Sequence, residues 1–287
     1  VEMKKRFADI QSLVLEYRLI DPVEFWSVCS KYLSDAPFML SALDCAAHDL
    51  WGKLEGAPVH QLWGLDLNKA VCSSFTIGID TIEIMRSKLK EEPGWSVYKI
   101  KLGTKEDAQI IQFLRQETEA MFRVDANCGW KADEALALSC ELSRHGVEFI
   151  EQPLATDMNK AQKRLFHDSA LPLIADESCV VETDVLQCVD RFHGVNIKLS
   201  KCGGLTPARR MVTAARDQGL KVMVGCMTES SVGISAAAQL APLIDYADLD
   251  GAVLLAEDTA QGVGVDRGTL VFPDLPGCGI HDFKFKA

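Results

Sequence analysis

Charged side chains directly follow short apolar segments at six points along the chain. In chain order they are Lys99 with Lys101, Asp125 with Asn127, Glu151, Asp176 with Glu177, Lys198 with Lys201, and Asp248 with Asp250. A single charge after an apolar segment usually meets solvent and needs no further explanation. Six segments that all end in this way predict instead that their charges gather at one site.

Three of these positions are carboxylates from successive segments: Asp125, Glu151 and Asp176. Carboxylates that converge repel one another unless a cation lies between them, and hard oxygen ligands select Mg²⁺ or a similar ion. The six histidines are scattered, so no cluster of softer ligands competes. We therefore predict a Mg²⁺ site here. The alternative is a ring of ion pairs between the same carboxylates and the nearby lysines.

Two lysines flank this trio along the chain, Lys101 before it and Lys198 after it. Their amines should approach a bound substrate from opposite directions, so one could remove a proton from a carbon while the other returns one to the opposite face. A carbon acid beside a carboxylate is very weak because its conjugate base carries two negative charges, which Mg²⁺ stabilises. The predicted chemistry is Mg²⁺-dependent proton transfer next to a carboxylate.

The elements that must position these residues are short strands alternating with amphipathic helices. We predict eight strands, at residues 72–77, 96–102, 122–125, 147–151, 172–176, 194–198, 221–225 and 246–249. Helical segments lie between them, for example residues 105–119, 132–144 and 207–218. The repeat of about 25 residues fits one strand, one helix and two loops, and eight such units close into a (β/α)₈ TIM-type barrel. An open doubly wound sheet is the alternative, but no glycine-rich phosphate loop follows the first strand.

The predicted barrel comprises residues 71–257. The rest of the chain divides into two regions. Residues 1–70 have helical patterns, at 41–54 and after Pro22, and we expect a partial helical capping domain whose sheet lies outside this sequence. Residues 258–287 form an extension that returns to this domain. Within it, residues 268–274 (GTLVFPD) predict a strand, whose partner we expect in a segment preceding this sequence.

Composition excludes several classes of partner. The formal net charge of −11 argues against nucleic acid, which requires a basic surface. Ten cysteines without a CxxC pair indicate a reduced, cytoplasmic protein. The apolar runs are shorter than the roughly 18 residues that span a bilayer, so we predict no membrane partner. A homo-oligomer is expected, as barrels of this kind often assemble.

From about Phe38 to Asp274 the sequence resembles the enolase superfamily, and most of all the dipeptide epimerases of its muconate-cycloisomerase-like subgroup. The family pattern has KxK on the second strand, Asp, Glu and Asp metal ligands on the next three, and lysine on the sixth. The KIK of Lys99–Lys101, the carboxylate trio and the NIKLSKCGG segment of Lys198 match it. The resemblance implies that Lys101 and Lys198 are the acid and base. It also implies supporting roles for Lys99, Asn127 and Glu177, and it gives no catalytic role to Lys201.

Dipeptide epimerases also carry a DxD motif on the last strand, which holds the substrate's free α-ammonium. Asp248 and Asp250 match it, and their spacing of two puts both on one face. The resemblance thus implies epimerisation at the C-terminal residue of a dipeptide, with L-Ala-D/L-Glu as the commonest substrate in the family. The alternatives are a cycloisomerase or o-succinylbenzoate synthase, which would not need two carboxylates there, or a non-catalytic metal-binding barrel.

Overall fold

The computed structural model describes residues 2–284, except for the side chains of residues 2 and 4. Eight parallel strands follow one another around a barrel in chain order. They are β1 (Phe75–Ile77), β2 (Val97–Lys101), β3 (Met121–Asp125), β4 (Val147–Glu151), β5 (Leu173–Ala175), β6 (Gly194–Lys198), β7 (Lys221–Gly225) and β8 (Tyr246–Asp248). The predicted barrel architecture is therefore confirmed.

Twelve α-helices lie within residues 2–284. They are α1 (Glu2–Glu16), α2 (Pro22–Leu33), α3 (Pro37–Glu55), α4 (Val59–Leu62), α5 (Ile82–Glu91), α6 (Asp107–Arg115), α7 (Ala132–Ser143), α8 (Asn159–Asp168), α9 (Asp184–Cys188), α10 (Leu199–Cys202), α11 (Leu205–Asp217) and α12 (Ser231–Ala238). From α5 onward the helices connect successive strands, so eight strands are joined by seven helical crossovers. Among residues 249–284 no helix follows β8. None of the helices described is long and apolar enough to cross a membrane.

The helices cover the barrel with apolar stripes at helical spacing. In α11 the buried residues include Leu205, Ala208, Met211, Val212 and Ala215, which recur every three or four positions. Such residues join the outward side chains of the strands in one large apolar core. The result is a rigid ring of strands, whose carboxyl ends can hold charged side chains in fixed positions.

Helices α1 to α3 have a smaller apolar core of their own, built around Phe25, Cys29, Leu33 and Leu40. Asp21 accepts a hydrogen bond from Val23 N at the start of α2, and Pro22 occupies its first turn. Helix α3 ends at Glu55 and is capped by Gly56, which adopts a left-handed φ of 69°.

These helices are tied to the barrel by buried polar contacts. Trp26 Nε1 donates to Gly203 O (2.8 Å), and Asp44 accepts bonds from the backbone N (2.7 Å) and hydroxyl (2.8 Å) of Thr206. Both contacts meet the chain just after β6.

The barrel closes between β8 and β1 mainly through side chains. Only an isolated bridge joins Ser73 to Ala247, and Ser74 N donates to Ala247 O at 3.1 Å. Leu249 N donates to Ser73 Oγ at 2.7 Å, and Ser74 Oγ donates to Asp248 Oδ1 at 2.7 Å. These bonds explain why β1 begins at Phe75 instead of at the predicted residue 72.

The strand predicted at residues 268–274 is shorter, and our expectation about its partner is wrong. Thr269–Val271 (β10) pairs in antiparallel register with Gly264–Asp266 (β9), which directly precedes it. Arg267 and Gly268 form the turn with positive φ values of 48° and 93°. The pairing is thus local, and Gly268 O also accepts a bond from Ser73 N (2.8 Å), which ties the hairpin to the barrel.

Candidate active site

The carboxyl ends of the strands surround a cavity of about 310 Å³, whose lining includes Lys99, Lys101, Asp176, Lys198 and Lys201. Neighbouring strands bring their terminal charges side by side, because Lys101 pairs in register with Asp125, and Asp125 with Glu151. Asn127, Glu177, Asp248 and Asp250 line the same cavity. All the residues predicted from the sequence therefore meet at one end of the barrel. A larger recess of about 850 Å³ beside α11 contains none of them.

The three predicted metal ligands are buried: Asp125 and Glu151 have no exposed surface and Asp176 has 1%. Lys99 lies among them, with Nζ 3.0 Å from Asp125 Oδ2, 2.8 Å from Glu151 Oε2 and 2.8 Å from Asp248 Oδ2. Burial alone would lower the pKa of Lys99, but Asp248, Glu151 and Asp125 together raise it well above its usual value. Lys99 is therefore a permanent cation that neutralises part of the carboxylate cluster.

The two predicted acid/base lysines contact different carboxylates. Lys101 Nζ donates to Asp125 Oδ2 (2.7 Å) and to Asn127 Oδ1 (2.9 Å). Lys198 Nζ donates to Asp176 Oδ2 (2.8 Å). Burial lowers the pKa of Lys198, but the charges of Asp176 and Glu151 and the hydrogen bond to Asp176 together raise it above its usual value. The two amines thus reach the cavity from β2 and β6, separated around the ring by the carboxylate trio.

Within residues 2–284 the structure shows no cluster of three or more His, Cys, Asp or Glu side chains arranged to bind a metal. Lysine ammonium groups contact the carboxylates instead, in the ion-paired ring named above as the alternative. The chemistry of the ring nevertheless fits a divalent cation. Its donors are buried carboxylate oxygens, and four lysines face six carboxylates, which leaves a formal surplus of two negative charges.

The surplus of negative charge is most evident at Glu151. Burial, and next the neighbouring Asp125, raise the pKa of Glu151 to about 7. At Asp125, by contrast, Lys99 and Lys101 outweigh burial and lower the pKa. The trio therefore retains one carboxylate that its lysines do not fully compensate, and a bound cation would favour its ionised form.

The two acidic residues of the last strand have different surroundings. Asp248 accepts bonds from Lys99 and from Ser74 Oγ, and Lys99 lowers its pKa against the effect of burial. Asp250 Oδ2 accepts one from Thr76 N at 2.6 Å. Burial, and then Asp248, raise the pKa of Asp250 to about 7. Asp250 is thus the carboxylate of the pair that a cationic ligand would stabilise more.

The supporting residues predicted from the sequence contact the same network. Asn127 has a left-handed φ of 42°, and its N donates to Asp125 Oδ1 at 3.0 Å. Its side-chain Nδ2 donates to Glu177 Oε1 at 3.2 Å. Asn127 thereby connects Lys101 to Glu177 across the end of the barrel.

Lys201, which the sequence placed at the site without a catalytic role, donates from Nζ to Asp176 Oδ1 at 2.8 Å. Sequence reasoning missed two other residues. Asn196 Nδ2 donates to Glu151 Oε1 at 2.7 Å. Asn196 lies two positions before Lys198, so strand alternation could have found it. Gln152 Oε1 accepts bonds from the backbone N of residues 176 and 178, both at 3.0 Å. No spacing signal could have predicted this last contact, because it depends on the left-handed φ of Gln152.

Comparison with known proteins adds independent findings. Residues 84–281 match the enolase C-terminal domain-like family. The L-Ala-D/L-amino acid epimerase of Flavobacterium johnsoniae is 48% identical over 278 residues, which cover 97% of this chain and 82% of that protein. The L-Ala-D/L-Glu epimerase of Bacteroides thetaiotaomicron is 44% identical over 242 residues, which cover 84% of this chain and 63% of that protein.

Solved structures agree with these relatives. The dipeptide epimerase from Methylococcus capsulatus, complexed with Mg and the dipeptide L-Arg-D-Lys, superposes with a TM-score of 0.83 at 33% sequence identity. The match covers 90% of this chain and 77% of that one. The chain therefore belongs to the enolase C-terminal domain-like family, and within it to the dipeptide epimerases.

Proposed function

We propose that this protein is a Mg²⁺-dependent dipeptide epimerase that exchanges the α-proton of the C-terminal residue, with L-Ala-D/L-Glu as the first substrate to test. The observation that carries the proposal is the placement of Lys101 and Lys198. Their amines contact Asp125 and Asp176 on different sides of a single cavity. A substrate bound between them presents one face of its α-carbon to each amine.

The carboxylates have two proposed tasks. A Mg²⁺ ion held by Asp125, Glu151 and Asp176 would bind the substrate carboxylate and stabilise the negative charge that develops when the α-proton leaves. Asp248 and Asp250 would bind the α-ammonium of the N-terminal residue. The state of Asp250 supports this task, since its buried carboxylate has a pKa of about 7 and gains from a nearby positive charge.

Proton transfer would then involve two atoms, the Nζ of Lys101 and that of Lys198. In each direction one amine must be neutral to accept the α-proton while the other, as an ammonium, donates to the opposite face. Asp176 stabilises the ammonium form of Lys198, which suits the donor in one direction. Asn127 accepts a bond from Lys101 and holds it towards the cavity. Lys99 would contribute charge and would not exchange protons, because three carboxylates enclose it.

The test is incubation with Mg²⁺ and L-Ala-L-Glu or L-Ala-D-Glu in D₂O, with deuterium at the glutamate α-carbon measured by mass spectrometry. We expect incorporation that EDTA abolishes. Lys101→Ala and Lys198→Ala should each lower epimerisation by at least about a thousandfold. If each lysine serves one face of the α-carbon, each variant should still exchange the α-proton of one diastereomer without inverting that carbon. The two variants should differ in which diastereomer they exchange.

A matched control is Lys221→Ala, since this lysine is exposed at the other end of the barrel and pairs with Asp245. It should keep full epimerase activity. Full activity in both Lys101→Ala and Lys198→Ala would refute the proposed mechanism. Turnover of amine-free carboxylates, with no exchange into any dipeptide, would favour a cycloisomerase or synthase instead.

A further inference from the structure

The connection between β6 and α11 contains two of the lysines that line the active-site cavity. Lys198 is the last residue of β6 and directly precedes α10, and Lys201 lies within α10. Their amines bind the two oxygens of one carboxylate, Asp176 Oδ2 and Oδ1, both at 2.8 Å. The position of this connection therefore affects both amines.

Two glycines join α10 to α11, and neither has a side chain that could fix the start of α11. Gly203 and Gly204 have positive φ values of 97° and 117°, and Gly204 is the residue before the first turn of α11. The first backbone N–H groups of a helix need acceptors, which a Ser, Thr, Asp or Asn side chain at this position usually provides. At α11 the acceptor must come from another part of the fold.

Asp44 of α3 provides this acceptor. Its Oδ2 accepts a bond from Thr206 N at 2.7 Å, and its Oδ1 accepts one from Thr206 Oγ1 at 2.8 Å. The residue is 1% exposed, and a β-carbon built on Gly204 would lie 2.4 Å from Asp44 Oδ2, so this approach requires glycine. A negative charge is also favourable at the N-terminus of a helix. Asp44 therefore caps α11 from a neighbouring helix.

The glycine pair is held from α2 as well. Trp26 Nε1 donates to Gly203 O at 2.8 Å, and a β-carbon on Gly203 would lie 3.2 Å from Leu40 Cδ2. The other end of the connection is fixed by the sheet, where Lys198 pairs in register with Gly225 of β7. The connection is thus held at one end by the barrel and at the other by the helical region.

We propose that Asp44 is a positioning residue for the reaction, which holds Lys198 and Lys201 against Asp176 by capping α11. The inference rests on the proposed function, in which Lys198 serves one face of the α-carbon and Lys101 the other. Lys101 lies on β2, and its amine binds the carboxylate of a different strand. Loss of the cap should therefore impair proton transfer on the Lys198 face more than on the other. A residue that only stabilised the fold would affect both faces equally.

The experiment measures how fast L-Ala-L-Glu and L-Ala-D-Glu each take up deuterium at the glutamate α-carbon without inversion, in the wild type and in Asp44→Ala. Lys198→Ala identifies the diastereomer whose exchange depends on Lys198. In Asp44→Ala the exchange of that diastereomer, relative to the other, should fall by at least about tenfold, because misplacing a reacting group by about 1 Å has effects of this size. Asp44→Asn should keep the ratio within about threefold of wild type, since an amide can accept from Thr206 N and donate to Thr206 Oγ1.

The matched control is Asp49→Ala, on the same helix. Asp49 is also buried, at 9% exposure, and its Oδ1 accepts a bond from Cys278 N at 2.8 Å. This bond leads to the C-terminal extension and not to the connection after β6. The variant should lose stability in urea denaturation but keep the exchange ratio within about twofold of wild type.

Thr206→Val provides a second route if Asp44→Ala does not fold, because it removes only the hydroxyl bond. It should lower the ratio by about threefold or more. An unchanged ratio in a folded Asp44→Ala, or in Thr206→Val if the first variant is unfolded, would overturn the positioning role. So would an equal change of the ratio in Asp49→Ala. A wild type that exchanges neither diastereomer would instead overturn the proposed function and with it the positioning role.

Discussion

The two ends of the barrel interior are built by the same strands but contain buried charge in different ways. We call the end with the active-site cavity, where Lys101 and Lys198 lie, the mouth, and the opposite end the floor. A small apolar cluster comprises Phe149, Ile174 and Tyr246, each two positions before a charged residue of the mouth, and Met223, two positions before Gly225. The same alternation puts Arg123 two positions before Asp125, so this buried arginine belongs to the floor. One end of the barrel interior is thus apolar around one cation, whereas the other is crowded with charges of both signs.

At the floor, the buried guanidinium of Arg123 is partnered by groups of the protein. Arg123 Nε donates to Glu148 Oε2 (2.8 Å), and Nη1 donates to Ala247 O (3.2 Å). The guanidinium also lies 4.8 Å from the ring centre of Tyr246 and 5.4 Å from that of Phe149. Such contacts stabilise the folded chain without any ligand.

At the mouth, partnering is incomplete. Lysines compensate Asp125 and Asp248, but burial and neighbouring carboxylates raise the pKa of both Glu151 and Asp250 to about 7. These two groups cost folding free energy near neutral pH unless a cation binds. The contacts of Arg123 at the floor thus stabilise the fold, whereas Glu151 and Asp250 at the mouth lower its stability near neutral pH.

The largest effect on stability is expected from Lys99→Met, which keeps the side-chain volume but removes the central cation of the mouth. Asp125, Glu151 and Asp248 would each lose a contact of 3.0 Å or less. We expect the free energy of unfolding, measured by urea denaturation in EDTA at pH 8, to fall by about 3–5 kcal/mol. Lys221→Met, at an exposed ion pair, should cost less than about 1 kcal/mol. Equal losses in the two variants would mean that Lys99 is no more important than a surface lysine.

A smaller loss is expected at the floor from Arg123→Met. The substitution removes the bonds to Glu148 and Ala247, but Glu148 remains 29% exposed and can turn to water. We expect a loss of about 2–3 kcal/mol in unfolding free energy, with proton exchange by the folded enzyme retained. Arg164→Met, at a pair that is 60% exposed on the arginine, is the control. Loss of activity without loss of stability would contradict the division between floor and mouth.

The smallest effect is expected from Asp250→Asn, and its size depends on pH. The folded-state pKa of about 7 exceeds the unfolded value of 3.8, so native Asp250 retains a proton that the unfolded chain releases. Its stability contribution is therefore present at low pH and is lost as pH rises through about 7. An asparagine side chain at this position lacks this cost and keeps an acceptor for Thr76 N.

Asp250→Asn should accordingly gain about 2 kcal/mol relative to wild type between pH 5 and pH 8. Denaturation of both proteins at the two pH values, without metal or substrate, measures this difference. The epimerase activity of Asp250→Asn should be lower than that of the wild type over the same pH range. A variant that is less stable than wild type at pH 8 would show that Asp250 is compensated within the protein, as Arg123 is at the floor.

Much of the fold followed from local patterns in the sequence. Strands β4, β6 and β7 have the predicted bounds, because each is a compact apolar run that ends at a charged residue or at glycine. The start of β1 was placed too early, since residues 72–74 contact β8 through serine hydroxyls instead of a regular ladder. The partner of β10 was placed outside the chain because the short β9 (Gly264–Asp266) has little apolar pattern.

Which charges meet at the mouth could be predicted from the sequence alone. A two-residue alternation and a regular repeat suffice to place Lys101, Asp125, Glu151, Asp176 and Lys198 at one end of a barrel, because parallel strands share their carboxyl end. Which charge pairs with which depends on the tertiary structure. Lys99 lies among three carboxylates, Lys201 shares Asp176 with Lys198, and Asp250 lacks a lysine partner within hydrogen-bonding distance among the described residues. Such pairing depends on distances of a few ångströms across the barrel, which side-chain direction and burial set and which no spacing along the chain encodes.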